Sequence, residues 1–307
     1  MKYIKFQDKK GTFTIQSPEN YSGLYFPLAG DGGLKSSITP NLGGDSKTDQ
    51  NHFLLEPVSI ENLHNNRSTR NFWCRIEGKG CWSATGISAE QELQKFTEAQ
   101  DKSILEAGFM WQKVTRTSAK YGLQSEITSF VDVDGAAEIE LVRIKNISEE
   151  VTKITPIAAI PLYGRSADNI RDHRHVTSLL HRINTTEYGV EVTPVLSFDE
   201  RGHQKDHTTY FVYGYSEKGD APEAFYPTVQ EFMGEGGTYL NPEAVRENKP
   251  GRKAGGRAEG KEAMGGIRFA DVELKPQETA GFIILAGLTE KKESIAKTVV
   301  KYRTEEQ

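Results

Sequence analysis

The sequence of 307 residues has little cysteine, no long hydrophobic run and no excess of basic residues. Two cysteines are too few for the disulfide frameworks of small secreted domains. No stretch approaches the roughly 18 consecutive apolar residues of a transmembrane helix, and the polar N-terminus lacks the apolar segment of a signal peptide. With a formal net charge of −5, the chain lacks the basic face that nucleic acids and anionic membranes attract. We therefore expect a cytoplasmic protein that binds neither nucleic acid nor a membrane.

The two cysteines, Cys74 and Cys81, flank residues 77–80, whose Glu-Gly-Lys-Gly sequence is typical of a hairpin turn. Strands at residues 72–76 and 80–85 would form that hairpin and could bring the thiols near each other. A reducing compartment favours two free thiols. A short helix is predicted next, over residues 88–96, with Ser88 as its N-cap and Gln91 completing a capping box.

Strand patterns dominate the rest of the chain, and its 29 glycines favour turns over long helices. Apolar alternation, or apolar character on both faces, predicts strands at residues 109–117, 123–133, 139–147 and 154–162, with no helix between them. Further strands are predicted at residues 189–197, 208–215, 267–274 and 280–288, the last two as a hairpin around residues 275–278. Residues 244–266, rich in glycine and basic residues, are predicted to be a loop. We expect an all-β fold built on antiparallel sheets.

The apolar residues near the C-terminus have a helical spacing instead of the alternation of a strand. Ile295, Val299 and Tyr302 are spaced as i, i+4 and i+7, which predicts an amphipathic helix from Lys291 onward. Its sequence contains no C-cap, so the chain ends as if inside an element.

A polar segment at residues 164–182 is the first candidate site. Its arginine, carboxylate, amide and imidazole groups are of the kind that bind sugar hydroxyls or a phosphate, and the candidates are Arg165, Asp168, Asn169, Arg171, Asp172, His173 and His175. A metal site on His173 and His175 is disfavoured because arginines lie between and beside them. The remaining alternative is a polar loop that forms its own ion pairs.

Two further clusters contain aromatic residues. Residues 64–71 are rich in amides and arginine and lead into Trp73, which could stack on a sugar ring or be buried in the core. Residues 226–237 contain Tyr226, also a candidate for sugar stacking, and the carboxylates Glu231 and Glu235. Paired carboxylates raise the question of acid/base glycoside chemistry, for which spacing alone is weak support. Because glycines flank it, we interpret this segment as a lid-like loop that binds substrate.

Residues 255–261 imitate a phosphate-binding G-x-x-x-x-G-K loop. Glu262 follows the lysine where such a loop needs a hydroxyl, and no apolar strand precedes the segment. We interpret residues 255–262 as a solvated loop.

Several segments together resemble one protein group, the cellobiose-phosphorylase-type enzymes of glycoside hydrolase family 94. They are DGGLKSSITPNLGGD (residues 31–45), DQNHFLLEPVS (49–59), LHNNRSTRNFW (63–73), RSADNIRDHRHVTSLLHRI (165–183), LSFDERGH (196–203) and FYPTVQEFMGEGG (225–237). The resemblance covers essentially the whole chain, and the branch that it looks most like is the 1,2-β-oligoglucan phosphorylases.

The resemblance implies a large galactose-mutarotase-like β-sandwich (supersandwich) over residues 1–288. Residues 289–307 would then begin a helical linker to an (α/α)₆ catalytic barrel that this chain does not contain. The implied reaction is inverting phosphorolysis, in which inorganic phosphate is the co-substrate and an aspartate of the barrel is the general acid. No residue here therefore receives a catalytic role, and no metal or cofactor is expected.

The resemblance also implies partners. The N-terminal domain of relatives supports a homodimer and sends loops towards the active site, and the loops around residues 165–175 and 226–237 are the candidates here. The implied ligand is a β-glucan oligosaccharide.

Two other functions stay open: a free-standing carbohydrate-binding module, and a non-catalytic subunit of a split phosphorylase. A truncated domain should expose the apolar stripe of the C-terminal helix and should aggregate or dimerise. A genuine module should be soluble and monomeric.

Overall fold

The computed structural model describes residues 4–21, 23–59, 68–170, 174–199 and 202–303. The first twelve strands are β1 (Ile4–Phe6), β2 (Phe13–Gln16), β3 (Phe26–Ala29), β4 (Lys35–Ile38), β5 (Ser46–Asp49), β6 (His52–Leu55), β7 (Asn71–Ile76), β8 (Gly80–Ser83), β9 (Lys102–Gly108), β10 (Trp111–Ser118), β11 (Leu123–Val131) and β12 (Ala137–Asn146).

The remaining strands are β13 (Thr152–Leu162), β14 (His181–Thr185), β15 (Gly189–Pro194), β16 (Leu196–Asp199), β17 (Gly202–Lys205), β18 (Thr209–Ser216), β19 (Ala224–Thr228), β20 (Arg257–Glu259), β21 (Ala263–Arg268), β22 (Val272–Leu274) and β23 (Thr279–Thr289). The helices are α1 (Ala89–Gln94), α2 (Arg174–Thr177), α3 (Val229–Met233), α4 (Glu243–Arg246) and α5 (Lys292–Lys301).

Two large antiparallel sheets form the body of the fold. The main sheet has eleven strands in the order β1-β2-β9-β10-β11-β12-β23-β18-β15-β14-β20. The facing sheet has the order β19-β21-β13-β7-β8, with β22 paired to β13, and a four-stranded cover sheet runs β3-β4-β5-β6. One apolar core joins all three sheets, as where Phe72 of β7 packs 5.3 Å, centroid to centroid, from Phe282 of β23. The predicted all-β, antiparallel sandwich is confirmed.

Alternation predicts the main sheet well where neighbours in sequence are also neighbours in space. Along β11, Leu123, Ile127 and Val131 face the core together with Ser125 and Ser129, as their spacing predicts. The predicted strand at residues 109–117 begins instead at residue 111. Phe109 and Met110 form the turn from β9, a strand that the sequence interpretation missed, and Met110 takes a positive φ of 59°.

Two strands predicted to lie beside their neighbours in sequence belong to the other sheet. β13 leaves β12 and pairs with β7 and β21, so its apolar residues on both faces reflect a central position in the facing sheet. The predicted hairpin around residues 275–278 is wrong, because β22 pairs with β13 whereas β23 pairs with β12. The turn bonds to the end of β12: the amide of Gln277 donates to the Asn146 carbonyl at 2.8 Å, and Asn146 Nδ2 donates to the Leu274 carbonyl at 2.9 Å.

Other local predictions stand with altered bounds. The predicted helix over residues 88–96 is α1, in which the Gln91 amide donates to Ser88 Oγ at 3.1 Å, so the predicted N-cap is confirmed. Residues 244–266 are not one loop. They include most of α4, all of β20 and the N-terminal part of the buried strand β21.

The thiols of Cys74 and Cys81 are both free. In the β7–β8 pair, Cys74 lies opposite Trp82 whereas Cys81 lies opposite Arg75. Because successive residues of a strand point to opposite faces, this register sends the two side chains to opposite faces of the facing sheet.

Helix α5 packs across the outer face of the main sheet. Ile295 and Val299 are 4% and 9% exposed and join an apolar cluster with residues of β12, β18 and β23. Near its C-terminal end, Lys301 Nζ lies 2.6 Å from Asp132 Oδ1, and the Tyr302 hydroxyl donates to the same oxygen at 2.9 Å. The amphipathic helix is confirmed, but the expected exposed stripe is not, because the chain's own sheet covers it. The stripe therefore gives no reason to expect aggregation or dimerisation.

A buried ion pair links the main sheet to the segment that leads into β7. The Arg70 guanidinium donates to the Glu138 carboxylate, and Ser36 Oγ of the cover sheet donates to the same group at 2.5 Å. Two residues further along β12, the buried Glu140 accepts a hydrogen bond from Ser129 Oγ at 2.6 Å. Burial opposes ionisation of both carboxyls, but Arg70 holds the pKa of Glu138 below its ordinary value. Burial and the adjacent Glu138 charge raise the pKa of Glu140 well above its ordinary value.

No helix within the described ranges is both long and apolar enough to cross a membrane.

Candidate functional site

The two segments predicted to form a site, residues 164–182 and 226–237, meet at one end of the fold through a third segment. That third segment is the turn between β20 and β21, at residues 260–262. A surface depression of about 450 Å³ is lined by all three segments, including Ser178, Gln230, Glu235, Lys261 and Glu262. We call these three segments the loop cluster.

Arg165 links segments of the loop cluster from their buried side. Its side chain is buried and its Nη2 forms an ion pair with Glu262, whose side chain is 32% exposed. Its Nε lies 3.4 Å from Nε2 of His181, and its guanidinium carbon lies 5.0 Å from the ring centroid of Tyr163. The backbone carbonyl of Arg165 also accepts from the Phe53 amide at 3.0 Å, which links the cover sheet. Arg165 therefore acts on this cluster as an internal support.

His181, which the sequence interpretation did not single out, is a neutral link in the cluster. Burial, with the nearby charge of Arg165, lowers the pKa of His181 to about 3. Because Nε2 faces the Nε–H of Arg165, we assign the ring proton to Nδ1, which lies 3.3 Å from the Lys261 carbonyl. Lys261 then reaches α3, where its Nζ donates to Gln230 Oε1 at 3.3 Å.

The two candidate carboxylates of α3 and the turn after it have different surroundings. Glu231 completes the N-cap of α3: its amide donates to Thr228 Oγ1 at 3.2 Å, and Thr228 Oγ1 donates back to Glu231 Oε1 at 2.8 Å. Its second carboxylate oxygen accepts from Arg252 Nε at 2.6 Å. Glu235, by contrast, is exposed and lines the depression. Glu231 is thus engaged in structure, and Glu235 is open to a ligand.

The remaining polar candidates divide in the same way. Asp168 is exposed in a short 3₁₀ helix, Ala167–Ile170. Asn169 is buried and accepts from Ser166 Oγ at 3.1 Å. Arg171, Asp172 and His173 lie outside the described residues, and the side chain of His175 is likewise not described.

The two aromatic candidates lie in the core. Trp73 and Tyr226 are 2% and 1% exposed, in an apolar cluster that α3 and α4 close with Phe232 and Val245. The Tyr226 hydroxyl donates to the Lys249 carbonyl. The core alternative is confirmed for Trp73. A sugar-stacking platform needs an open ring face, and neither ring has one in this conformation.

Sequence interpretation did not single out Ser178, His181 or Gln230 within the two predicted segments. It left Lys261 and Glu262 outside the site altogether. Residues 255–262 were interpreted as a solvated loop, yet Glu262 pairs with a buried arginine 97 positions earlier. The Gly-Lys-Glu turn itself is the only local signal, and no spacing connects it to Arg165. Among the described side chains, no group of three or more histidine, cysteine or acidic residues is arranged to hold a metal ion.

The fold defines a β-supersandwich domain, with two large antiparallel sheets, a cover sheet and a polar loop cluster at one end. The family model described as "Glycosyl hydrolase 94, supersandwich domain" matches residues 30–305, and the chain belongs to that family. No curated protein matches the sequence.

Several solved structures align with most of this chain. A bacterial glucoamylase complexed with acarbose aligns with a TM-score of 0.51 and 10% identity, over 88% of this chain and 32% of that one. A protein described as a kojibiose phosphorylase from the human microbiome aligns with a TM-score of 0.45 and 10% identity, over 99% of this chain and 36% of that one. A protein described as an aldose 1-epimerase from Escherichia coli K12 aligns with a TM-score of 0.42 and 10% identity, over 87% of this chain and 99% of that one. The chain spans about a third of the first two, and the glucoamylase likeness shows the fold alone.

Proposed function

We propose that this chain is the N-terminal domain of an inverting β-glucan phosphorylase, of the 1,2-β-oligoglucan type. The whole enzyme would cleave β-glucosidic bonds with inorganic phosphate and release α-glucose 1-phosphate. The observation that carries the proposal is the loop cluster, formed by three segments at one end of a domain that belongs to family 94. We propose that the cluster faces the bound glucan and helps to hold it.

The chemistry of the cluster supports binding more than proton transfer. Inverting phosphorolysis needs one general acid, because phosphate is its own nucleophile. Glu231 and Glu262 are each held in an ion pair with an arginine. The exposed Asp168 and Glu235 can accept hydrogen bonds from sugar hydroxyls. The general acid would come from a separate barrel domain, so this chain alone would be inactive.

The sequence resemblance supports two further parts of the proposal. The whole enzyme would be a homodimer, and it would work in the cytoplasm with phosphate as co-substrate and no other cofactor.

Phosphorolysis of β-1,2-gluco-oligosaccharides tests this function, with α-glucose 1-phosphate as the measured product. We expect no product from the 307-residue chain and turnover from a polypeptide that joins it to the barrel. In that longer polypeptide, Glu235→Gln should lower kcat/KM several-fold, chiefly through KM, if Glu235 contacts the sugar in ground and transition states alike.

Glu98→Gln is the matched control, since Glu98 is exposed and does not line the depression. Equal kcat/KM for Glu235→Gln and Glu98→Gln would remove Glu235 from the binding surface. An active barrel polypeptide that cleaves only by hydrolysis would overturn the phosphorylase proposal.

A further inference from the structure

A second cavity, of about 490 Å³, lies on the outer side of the facing sheet. It is lined by residues of β7, β8 and α4, the N-terminal end of α1 and the turn before β11. None of these residues lines the depression of the loop cluster. Its volume falls within the roughly 300–1,000 Å³ of small-molecule sites.

The cavity is cationic although the chain as a whole carries a net charge of −5. Among the described lining residues, four side chains carry positive charge and one carries negative charge: Arg75, Lys79, Lys120, Arg246 and Glu90. The single carboxylate is already occupied, because it accepts from Lys120 Nζ at 2.5 Å and from the Tyr121 hydroxyl at 2.7 Å. The other three cations leave a net positive field in the cavity.

Two of those three cations are free to meet a ligand. In the described part of the chain, Arg75 and Lys79 make no ion pair and no side-chain hydrogen bond. The third, Arg246, bonds through Nε to Glu247 at 2.9 Å, an exposed pair of the kind that contributes about 1 kcal/mol or less. Burial raises the pKa of the Cys81 thiol, and the charges of Arg75 and Arg246 oppose that rise. The geometry places both arginines beside this thiol, because Arg75 lies opposite Cys81 in the β7–β8 register and Cys81 Sγ donates to the carbonyl of Val245, the residue before Arg246, at 3.7 Å.

Trp73 also belongs to the lining, but its indole Nε1 is closed off from the cavity. The side chain is 2% exposed, and that nitrogen is buried. Leu240, Pro242 and Val245 add an apolar part to the lining.

We propose that this cavity binds a small molecule through a phosphate group. Arg75 and Arg246 would pair with phosphate oxygens, and Lys79 would add a third positive charge. A phosphate monoester fits better than a carboxylate, because it carries nearly two negative charges and three terminal acceptor oxygens for several donors. Inorganic phosphate and a phosphorylated sugar share this chemistry. The inference does not depend on the proposed function, since the cavity lies apart from the loop cluster.

Isothermal titration of the 307-residue chain, at constant ionic strength, tests the site with inorganic phosphate, glucose 6-phosphate and glucose. We expect saturable one-to-one binding of at least one phosphate compound and none of glucose. If both bind with equal affinity, the phosphate group alone is the ligand. If glucose 6-phosphate binds at least tenfold more tightly than inorganic phosphate, the ligand is a phosphorylated sugar.

Variants decide where the phosphate binds. Arg75→Gln and Arg246→Gln should each weaken binding about tenfold. Arg257→Gln is the matched control, because Arg257 is exposed on β20 and does not line the cavity. Thermal unfolding would show that each variant is folded.

No binding of either phosphate compound would overturn the proposal. So would unchanged affinity in the Arg75→Gln/Arg246→Gln double variant, or an equal loss in Arg257→Gln, because the ion would then bind elsewhere.

Discussion

The same substitution at two positions of β12 should have very unequal effects on stability. Glu138→Gln removes the charge that pairs with Arg70, and both side chains are 1% exposed. The buried Arg70 guanidinium would then lose the one carboxylate to which it is directly bonded. Breaking a buried pair from one side costs about 3–5 kcal/mol, and the lower end applies because glutamine still offers one acceptor oxygen.

Glu140→Gln should cost little at pH 7. The Glu140 carboxyl accepts from Ser129 Oγ, but its other oxygen has no partner. Its raised pKa means that the folded state binds a proton that the unfolded state has released. The contribution of Glu140 to the free energy of unfolding therefore falls as the pH rises above the ordinary carboxyl pKa of about 4.3. The amide of glutamine does not titrate, so the variant avoids that loss. We therefore expect the free energy of unfolding to change by about 1 kcal/mol or less, in either direction.

Guanidinium-induced unfolding of the two variants and the parent chain, at pH 5 and pH 8, measures these effects. Glu138→Gln should be destabilised at both values, since the lowered pKa of Glu138 keeps it ionised in the folded state across this range. Glu140→Gln should gain stability relative to the parent between pH 5 and pH 8. Equal losses for the two variants, or a Glu140→Gln variant that loses stability with rising pH as the parent does, would refute this assignment of charge.

Three further outcomes follow from the packing. Glu262→Ala should destabilise the chain more than Arg165→Met in chemical unfolding, since the first leaves a buried cation and the second leaves a carboxylate that is 32% exposed. Oxidant should not link Cys74 to Cys81, and alkylation followed by mass spectrometry should modify the half-buried Cys81 before the buried Cys74. Lys301→Gln should lower the free energy of unfolding by about 1–3 kcal/mol and speed proteolysis at α5, because it leaves the Asp132 carboxylate, 3% exposed, without its cation.

The sequence predicts what depends on close neighbours. The alternation of β11, the N-cap of α1 and the amphipathic stripe of α5 are all local patterns, and each forms in the structure. Sheet membership is different, because it depends on partners far along the chain. The turn at residues 275–278 fits a hairpin by composition, but bonds from Asn146 direct it across to the main sheet.

The candidate site shows the same division. Composition located the segments that contain Arg165 and Glu235, and these segments do meet. Composition could not show that Arg165 is buried against Glu262, since that contact spans 97 positions. Nor could it place Trp73, because an aromatic beside polar residues is buried or exposed according to what packs over it, here α3 and α4.

The native size of the polypeptide tests the central claim most directly. An immunoblot of the source cells, with an antibody raised against this domain, compares the native band with the 34.2 kDa of the chain. A domain of a phosphorylase that carries its barrel on the same polypeptide predicts a band several times heavier. A single band at the mass of this chain would contradict that account and favour a free-standing module or a separate subunit.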